Sequence, residues 1–87
     1  MIPIEYDMIV FKENEIYIAY CPELDISSCG NNVEHAKKML KTAVRLFIEE
    51  AIKAGSIYDI LEEAEYKKDA GGKWIAPRII ATELVTA

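Results

Sequence analysis

The chain has 87 residues, 52 % of them hydrophobic, which fits one small domain with a modest core. Its net charge of −5 disfavours direct nucleic-acid binding, because an acidic surface repels phosphate backbones. The apolar start is interrupted by Pro3, Glu5 and Asp7, and no apolar run approaches the ~18 residues of a membrane span. The sequence therefore predicts a cytoplasmic protein without a secretory signal, whose cysteines are reduced.

The first third of the chain alternates between apolar and polar residues as strands do. It predicts strands over Ile2–Phe11, Ile16–Cys21 and Ile26–Gly30. A four-residue turn, Lys12–Glu15, joins the first two strands, and Pro22 ends the second because proline has no amide to donate. Short connections of this kind predict an antiparallel three-stranded meander.

A long helix follows over Val33–Ala54, with Asn32 as its N-cap and Gly55 as its left-handed stop. Its expected core face and an adjoining flank together form an apolar surface that is wider than packing against one sheet requires. The face is Ala36, Leu40, Ala43, Phe47 and Ala51, and the flank is Met39, Val44, Leu46, Ile48 and Ile52.

The last third predicts a second, shorter helix and C-terminal strands. Ser56 and Asp59 form a variant capping box, followed by an apolar stripe of Ile57, Ile60, Leu61 and Ala64. A turn over Lys67–Lys73 leads to strand residues Trp74–Ile75 and Arg78–Val85, interrupted by Pro77. The prediction is one α+β domain over residues 1–87: a three-stranded antiparallel meander, a long helix, a short second helix and C-terminal strands.

Two cysteines and one histidine are too few for an ordinary zinc site. We interpret Cys21 and Cys29 as small buried hydrophobic residues. His35 is interpreted as an exposed polar residue of the first helical turn, although Ser27 and Ser28 are available nearby as nucleophiles. We predict no catalytic residue, no metal and no cofactor.

Carboxylates and lysines suggest two further kinds of site. Asp7, Glu23 and Asp25 raise the alternative of a metal-dependent nuclease, against the simpler interpretation of solvated turn residues. A basic stripe on the long helix lacks interleaved aromatic residues, so we interpret it as the solvated side of the helix; it consists of Lys37, Lys38, Lys41 and Arg45.

Several short motifs then occur in a fixed order over residues 1–55. The first two are an aromatic-x-Ala strand, here Tyr17–Ala19, and a Pro-[Asp/Glu]-Leu turn, here Pro22–Leu24. A glycine, Gly30, follows, and then a first helical turn whose third residue is alanine, here Glu34–Ala36. In this order and spacing the segment resembles the HicB-like family. Asn32 stands where that family usually has threonine, and His35 where it usually has glutamate.

The resemblance implies a partial RNase H-like fold, β-β-β-α-β, without the nuclease carboxylates. HicB-like antitoxins bind and mask HicA, a small basic mRNA-cleaving toxin, so a non-catalytic antitoxin-type module is expected here. Residues 56–87 do not match the DNA-binding domain that many members carry. Two alternatives remain open: an oligomeric HicB-like protein without a toxin partner, and a degenerate RNase H-like nuclease using Asp7 or Asp25 with Mg²⁺.

The partner-binding residues are predicted in the last third of the chain. Aromatic anchors with a charged rim suit a basic partner, and the candidates are Tyr58, Tyr66 and Trp74 with Glu62, Glu63 and Glu65. For Trp74 a local core anchor beneath the preceding turn is an equally good interpretation. The first two strands are apolar on both faces, so a homodimer or higher oligomer is expected, with Arg78–Val85 in the subunit contacts.

Overall fold

Three antiparallel strands and a long helix packed on one of their faces form the body of the protein. The computed structural model describes residues 2–87. In chain order its elements are β1 (Ile9–Glu13), β2 (Ile16–Cys21), β3 (Ile26–Gly30), α1 (Val33–Ala54), α2 (Ile57–Glu63), β4 (Lys67–Lys68) and β5 (Trp74–Ile75). The predicted α+β class and the bounds of β2, β3 and α1 are confirmed.

The sheet order is β1-β2-β3, and both pairings are antiparallel. The predicted turn Lys12–Glu15 is wrong, because Lys12 and Glu13 continue β1 and pair with Tyr17 and Ile16. The chain reverses over two residues only, since Asn14 adopts a left-handed φ of 56° that asparagine tolerates better than most residues.

The predicted first strand, Ile2–Phe11, is also longer than the strand observed. Its beginning leaves the meander and runs beside β5 instead. The Trp74 amide donates to the Pro3 carbonyl at 2.9 Å, and the Glu5 amide donates to the Trp74 carbonyl at 3.0 Å. These bonds anchor the chain's first residues to its last third.

Both ends of α1 are capped as predicted. The Asn32 side chain accepts the His35 amide at 2.8 Å, and Gly55 has a left-handed φ of 73°. The buried face is rotated from the predicted one and consists of Ala36, Leu40, Val44, Ile48 and Ala51. Ala43 and Phe47 are only half-buried, and Met39, Leu46 and Ile52 of the flank are exposed.

Gly30 ends β3 where the sheet comes closest to the start of α1. A Cβ atom at this position would lie 2.5 Å from the Ala36 amide nitrogen and 2.8 Å from the His35 carbonyl carbon. Only a residue without a side chain allows this approach.

The last third departs most from expectation. Ser56 makes no capping hydrogen bond through its side chain; its hydroxyl lies 3.5 Å from the Ala51 carbonyl, so the predicted capping box is absent. Lys67–Lys68, predicted as turn, pairs with Trp74–Ile75 as β4. The predicted strand Arg78–Val85 is not formed, because this segment has no strand partner within residues 2–87 and is exposed throughout. None of the described helices has the length and hydrophobicity needed to cross a membrane.

Candidate functional site

Tyr58 and Trp74, two of the predicted partner-binding aromatics, lie against each other. Their ring centroids are 5.8 Å apart and their planes are tilted by 44°. Tyr58 extends from the solvent side of α2 and is 53 % exposed, whereas Trp74 is half-buried. A tilted pair at this distance is within the favourable range for aromatic rings.

Trp74 is held by its backbone as well as by its ring. Besides the hydrogen bonds to Pro3 and Glu5, its neighbour Lys73 forms an ion pair with Glu5, with 2.8 Å between Nζ and Oε2. Part of the ring packs against the core. Trp74 thus anchors the turn locally and still presents a surface beside Tyr58.

Tyr66 is placed differently from the other two aromatics. It is 4 % exposed, and its hydroxyl donates to the Glu5 carbonyl. Burial, with a contribution from the charge of Glu23, raises the pKa of Tyr66 well above its usual range. Its ring is a core element beneath the site, and almost none of it is available to a partner.

The three predicted rim carboxylates are all exposed. Glu62 is four residues after Tyr58 on α2, which places the two side chains on one helix face. Glu62 and Glu65 also line an open cleft of about 530 Å³, together with Tyr66, Lys67, Ile75, Ala76 and Pro77. Within residues 2–87 none of the rim carboxylates forms an ion pair, so their charges face solvent.

We call Tyr58, Glu62, Glu65 and Trp74 the aromatic–acidic patch. It combines a partly exposed ring pair, in which Trp74 is fixed by backbone hydrogen bonds, with Glu62 on the Tyr58 face of α2 and with Glu65, which shares the cleft with Glu62. Glu63 lies on a different face of α2, because five residues correspond to about 140° of rotation from Tyr58. The patch can offer an apolar contact and negative charge to a basic surface.

The carboxylates near the end of β2 have structural partners. Glu23 Oε1 accepts the Asp7 amide at 3.1 Å and the Cys21 thiol at 3.5 Å. Asp25 accepts the Tyr20 hydroxyl at 2.9 Å. Burial raises the pKa of Glu23 and raises that of Cys21 to about 11. Over residues 2–87 no three histidine, cysteine or acidic residues are grouped to hold a metal ion.

The two cysteines are in opposite environments. Cys21 is buried, as predicted, but Cys29 is exposed, so that half of the prediction is wrong. Cys29 pairs with Ile18 and therefore points away from α1. His35 is exposed as predicted, and its Nδ1 accepts the Asn31 amide at 3.0 Å.

Sequence reasoning missed Glu5 and Lys73, which hold the patch in place through the N-terminal segment. No local pattern signals an ion pair between residues so far apart in the chain. Comparison with protein-family models, with curated proteins and with solved structures finds no match to this chain.

Proposed function

We propose that this protein is a non-catalytic HicB-like binding module of the antitoxin type, which masks a small basic HicA-like mRNA-cleaving toxin in the cytoplasm. The observation that carries the proposal is the aromatic–acidic patch, in which Tyr58 and Trp74 lie in contact beside solvent-facing carboxylates. The motif order over residues 1–55 supplies the family resemblance.

Charge gives the proposed encounter its direction. A chain with a net charge of −5 attracts a basic protein at long range and repels the RNA that such a protein cleaves. Association with the toxin should therefore be fast at low salt and slow steeply as salt screens these charges. Glu62 and Glu65 act at the margin of the contact, where charged residues mainly affect the association rate.

The ring pair gives the proposed contact its affinity. Aromatic residues carry a large share of interface energy, most of all when they are held rigid before binding. The backbone bonds of Trp74 and its packing on the core supply that rigidity. Tyr66 supports the site from below.

Co-expression with a HicA-type protein from the same genome tests the proposal. The protein should restore the growth of cells that express the toxin, and Tyr58→Ala and Trp74→Ala should weaken the rescue while circular dichroism shows an intact fold. Leu46→Ala is the matched control for Tyr58→Ala, because Leu46 is exposed to a similar extent, 50 %, on α1. Rescue that is equally weakened by Leu46→Ala, or no rescue at all, would contradict the proposal.

A matched pair of charge variants distinguishes the effect of a patch carboxylate on the association rate from the effect of net charge. Glu62→Gln and Glu15→Gln each remove one exposed carboxylate, but only Glu62 belongs to the patch. Glu62→Gln should slow association with the toxin more than Glu15→Gln does. Equal effects would show that only the net charge matters.

We also propose that the chain forms a homo-oligomer, and an oligomeric HicB-like protein without a toxin is the second candidate function. The observation that favours it is a partly exposed apolar face of the sheet, with Phe11 and Ile16 about half exposed. Oligomer formation without binding to any HicA-type protein would select this candidate.

The nuclease alternative has a direct test. Purified protein with Mg²⁺ or Mn²⁺ should leave RNA and RNA–DNA hybrids intact. Turnover that is lost in Asp7→Asn or Asp25→Asn would overturn the binding-module proposal.

A further inference from the structure

The sheet has a second face, opposite α1, that is apolar and only partly covered. Ala19 and Cys21 of β2 are buried on the α1 side, so the alternate residues of β2 and their cross-strand neighbours point the other way. We call this side the outer sheet face; its apolar residues are Ile9, Phe11, Ile16, Ile18, Tyr20 and Cys29, and it also carries Glu13 and Ser27. None of these side chains belongs to the hydrophobic core or packs against it.

Charge is absent from the middle of the outer sheet face. Glu13 lies at one end of it, and Asp25, bonded to the Tyr20 hydroxyl, lies at the other. A basic protein or a nucleic acid would find no ionic partner at the centre. An apolar centre between polar ends instead suits a copy of the same surface, because a two-fold axis sets like residues against each other.

A second apolar segment is also unpaired in the part of the chain that the structure describes. Residues 78–87 follow Pro77 without forming a helix or strand, and we call them the exposed tail. Within it Ile80 is 94 % exposed and Leu84 is 98 % exposed. The tail is rich in β-branched residues, which favour strands, yet residues 2–87 contain no strand that pairs with it.

The outer sheet face is too small to form a stable dimer interface by itself. Three strands of five residues cover about 15 by 17 Å, or about 250 Å², at the usual strand spacing and rise. A stable interface buries about 800 Å² on each partner. A ten-residue tail, up to about 33 Å long when extended, can supply much of the remainder.

We propose that two copies of this chain pair through their outer sheet faces, and that the exposed tail of each copy crosses to pack on the other. This inference deepens the proposed homo-oligomer by naming its surfaces, and it is independent of toxin binding. Burial of Phe11, Ile16, Ile80 and Leu84 would remove much of the exposed apolar surface of the chain.

The exposed flank of α1 is the competing surface, and it fits a second copy less well. Met39 and Leu46 are exposed there, seven residues apart on one side of the helix. Glu50 follows Leu46 at the next position of that row and forms an ion pair with Lys53 at the surface. The flank is thus narrower and interrupted by charge.

Sedimentation velocity on the 87-residue chain, from low to high micromolar concentration, measures the pairing. The wild type should sediment as a dimer. The double variants Phe11→Lys/Ile16→Lys and Ile80→Asp/Leu84→Asp should each raise the dimer dissociation constant by about tenfold or more. Leu46→Lys is the control, since Leu46 and Ile16 are both 50 % exposed in the single chain, and it should remain a dimer.

The Cys29 thiol reports on the same face without a substitution. Its reaction with a soluble disulfide reagent should slow as protein concentration rises, and should stay fast at all concentrations in Phe11→Lys/Ile16→Lys. Circular dichroism checks that each variant is folded.

A dimeric wild type with either double variant unchanged would overturn the proposed interface and leave the oligomer itself intact. Dissociation by Leu46→Lys alone would assign the interface to the flank of α1. A wild type that stays monomeric would overturn the oligomer too, and loss of toxin binding in its sheet-face variant would then assign the face to the toxin.

Discussion

The two faces of the three-stranded sheet differ in side-chain size where α1 begins. Towards α1 the central rows contain Ala19, Ser28 and Gly30, which let the helix approach the sheet closely. Away from α1 the neighbouring strands β1 and β2 carry Phe11 and Ile18, and these large residues have nothing of the core against them. Apolar alternation alone does not distinguish the two faces, but the small residues at the contact with α1 do, because a closely packed helix requires them there.

The largest expected effect is a difference in stability between truncations on the two faces of the sheet. Leu40→Ala removes a fully buried side chain between α1 and the sheet and should lower the free energy of unfolding by about 2–5 kcal/mol. Ile16→Ala removes an outer side chain and should cost well under half as much at the lowest measurable protein concentration. Urea denaturation measures both. Equal losses would mean that the outer sheet face is packed within a single chain.

The buried thiol of Cys21 allows the two faces of the sheet to be compared through the pH dependence of stability. The pKa of Cys21 is raised by burial from 9.0 to about 11, so its stabilising contribution is complete below pH 9. That contribution is lost as the pH rises through 11, because the unfolded chain ionises first. A difference of about two pH units corresponds to about 2–3 kcal/mol.

Urea denaturation between neutral pH and pH 11 measures this loss. Burial also raises the pKa of Tyr6 and Tyr66, which adds to the loss in the same direction. The difference between the wild type and Cys21→Ala isolates the thiol, and Cys29→Ala serves as the control on the outer sheet face. Parallel pH profiles for the wild type and Cys21→Ala would contradict this account of Cys21.

A smaller effect is expected at the closest approach of sheet and helix. Gly30→Ala places a methyl group against the backbone of His35 and Ala36, which cannot move without displacing the start of α1. Such overpacking should lower the free energy of unfolding by about 1–3 kcal/mol. Gly71→Ala is the control: its added Cβ would meet only the Asp69 side chain, at 3.5 Å. Thermal denaturation of both variants measures the difference. A Gly30→Ala variant as stable as the wild type would show that the start of α1 can shift at little energetic cost.

The smallest effect compares two tyrosines of the last third. Tyr66→Phe removes the hydrogen bond to the Glu5 carbonyl and should cost about 1 kcal/mol. Tyr58→Phe removes a hydroxyl from an exposed ring and should change stability very little. Chemical denaturation of the two variants side by side gives the comparison. A larger loss of stability for Tyr58→Phe than for Tyr66→Phe would contradict the assignment of Tyr66 as the supporting residue and Tyr58 as the contact residue.

Local signals were sufficient for β2, β3 and α1. Asn32 and Gly55 mark the ends of the helix by their own backbone preferences, and Pro22 marks the end of β2. The structure has these elements where the residues alone place them. The two-residue reversal at Asn14 was missed because either turn length suits that sequence, and strand pairing decides between them.

The rest depends on contacts between distant parts of the chain. Tyr66 is buried because its hydroxyl meets the carbonyl of Glu5, 61 residues earlier, and nothing near Tyr66 indicates this. The contact between Tyr58 and Trp74 was not predicted, because the sequence shows these aromatic residues only as neighbours within the last third of the chain. The C-terminal strand was predicted from β propensity, and propensity does not supply the partner that a strand requires.

Masking of a basic ribonuclease is tested most directly by titrating this protein into an RNA-cleavage reaction run by a HicA-type toxin from the same genome. Cleavage should stop near stoichiometric protein, and Tyr58→Ala should require a higher concentration than Leu46→Ala. Undiminished cleavage at a large excess of folded wild-type protein would contradict the antitoxin account.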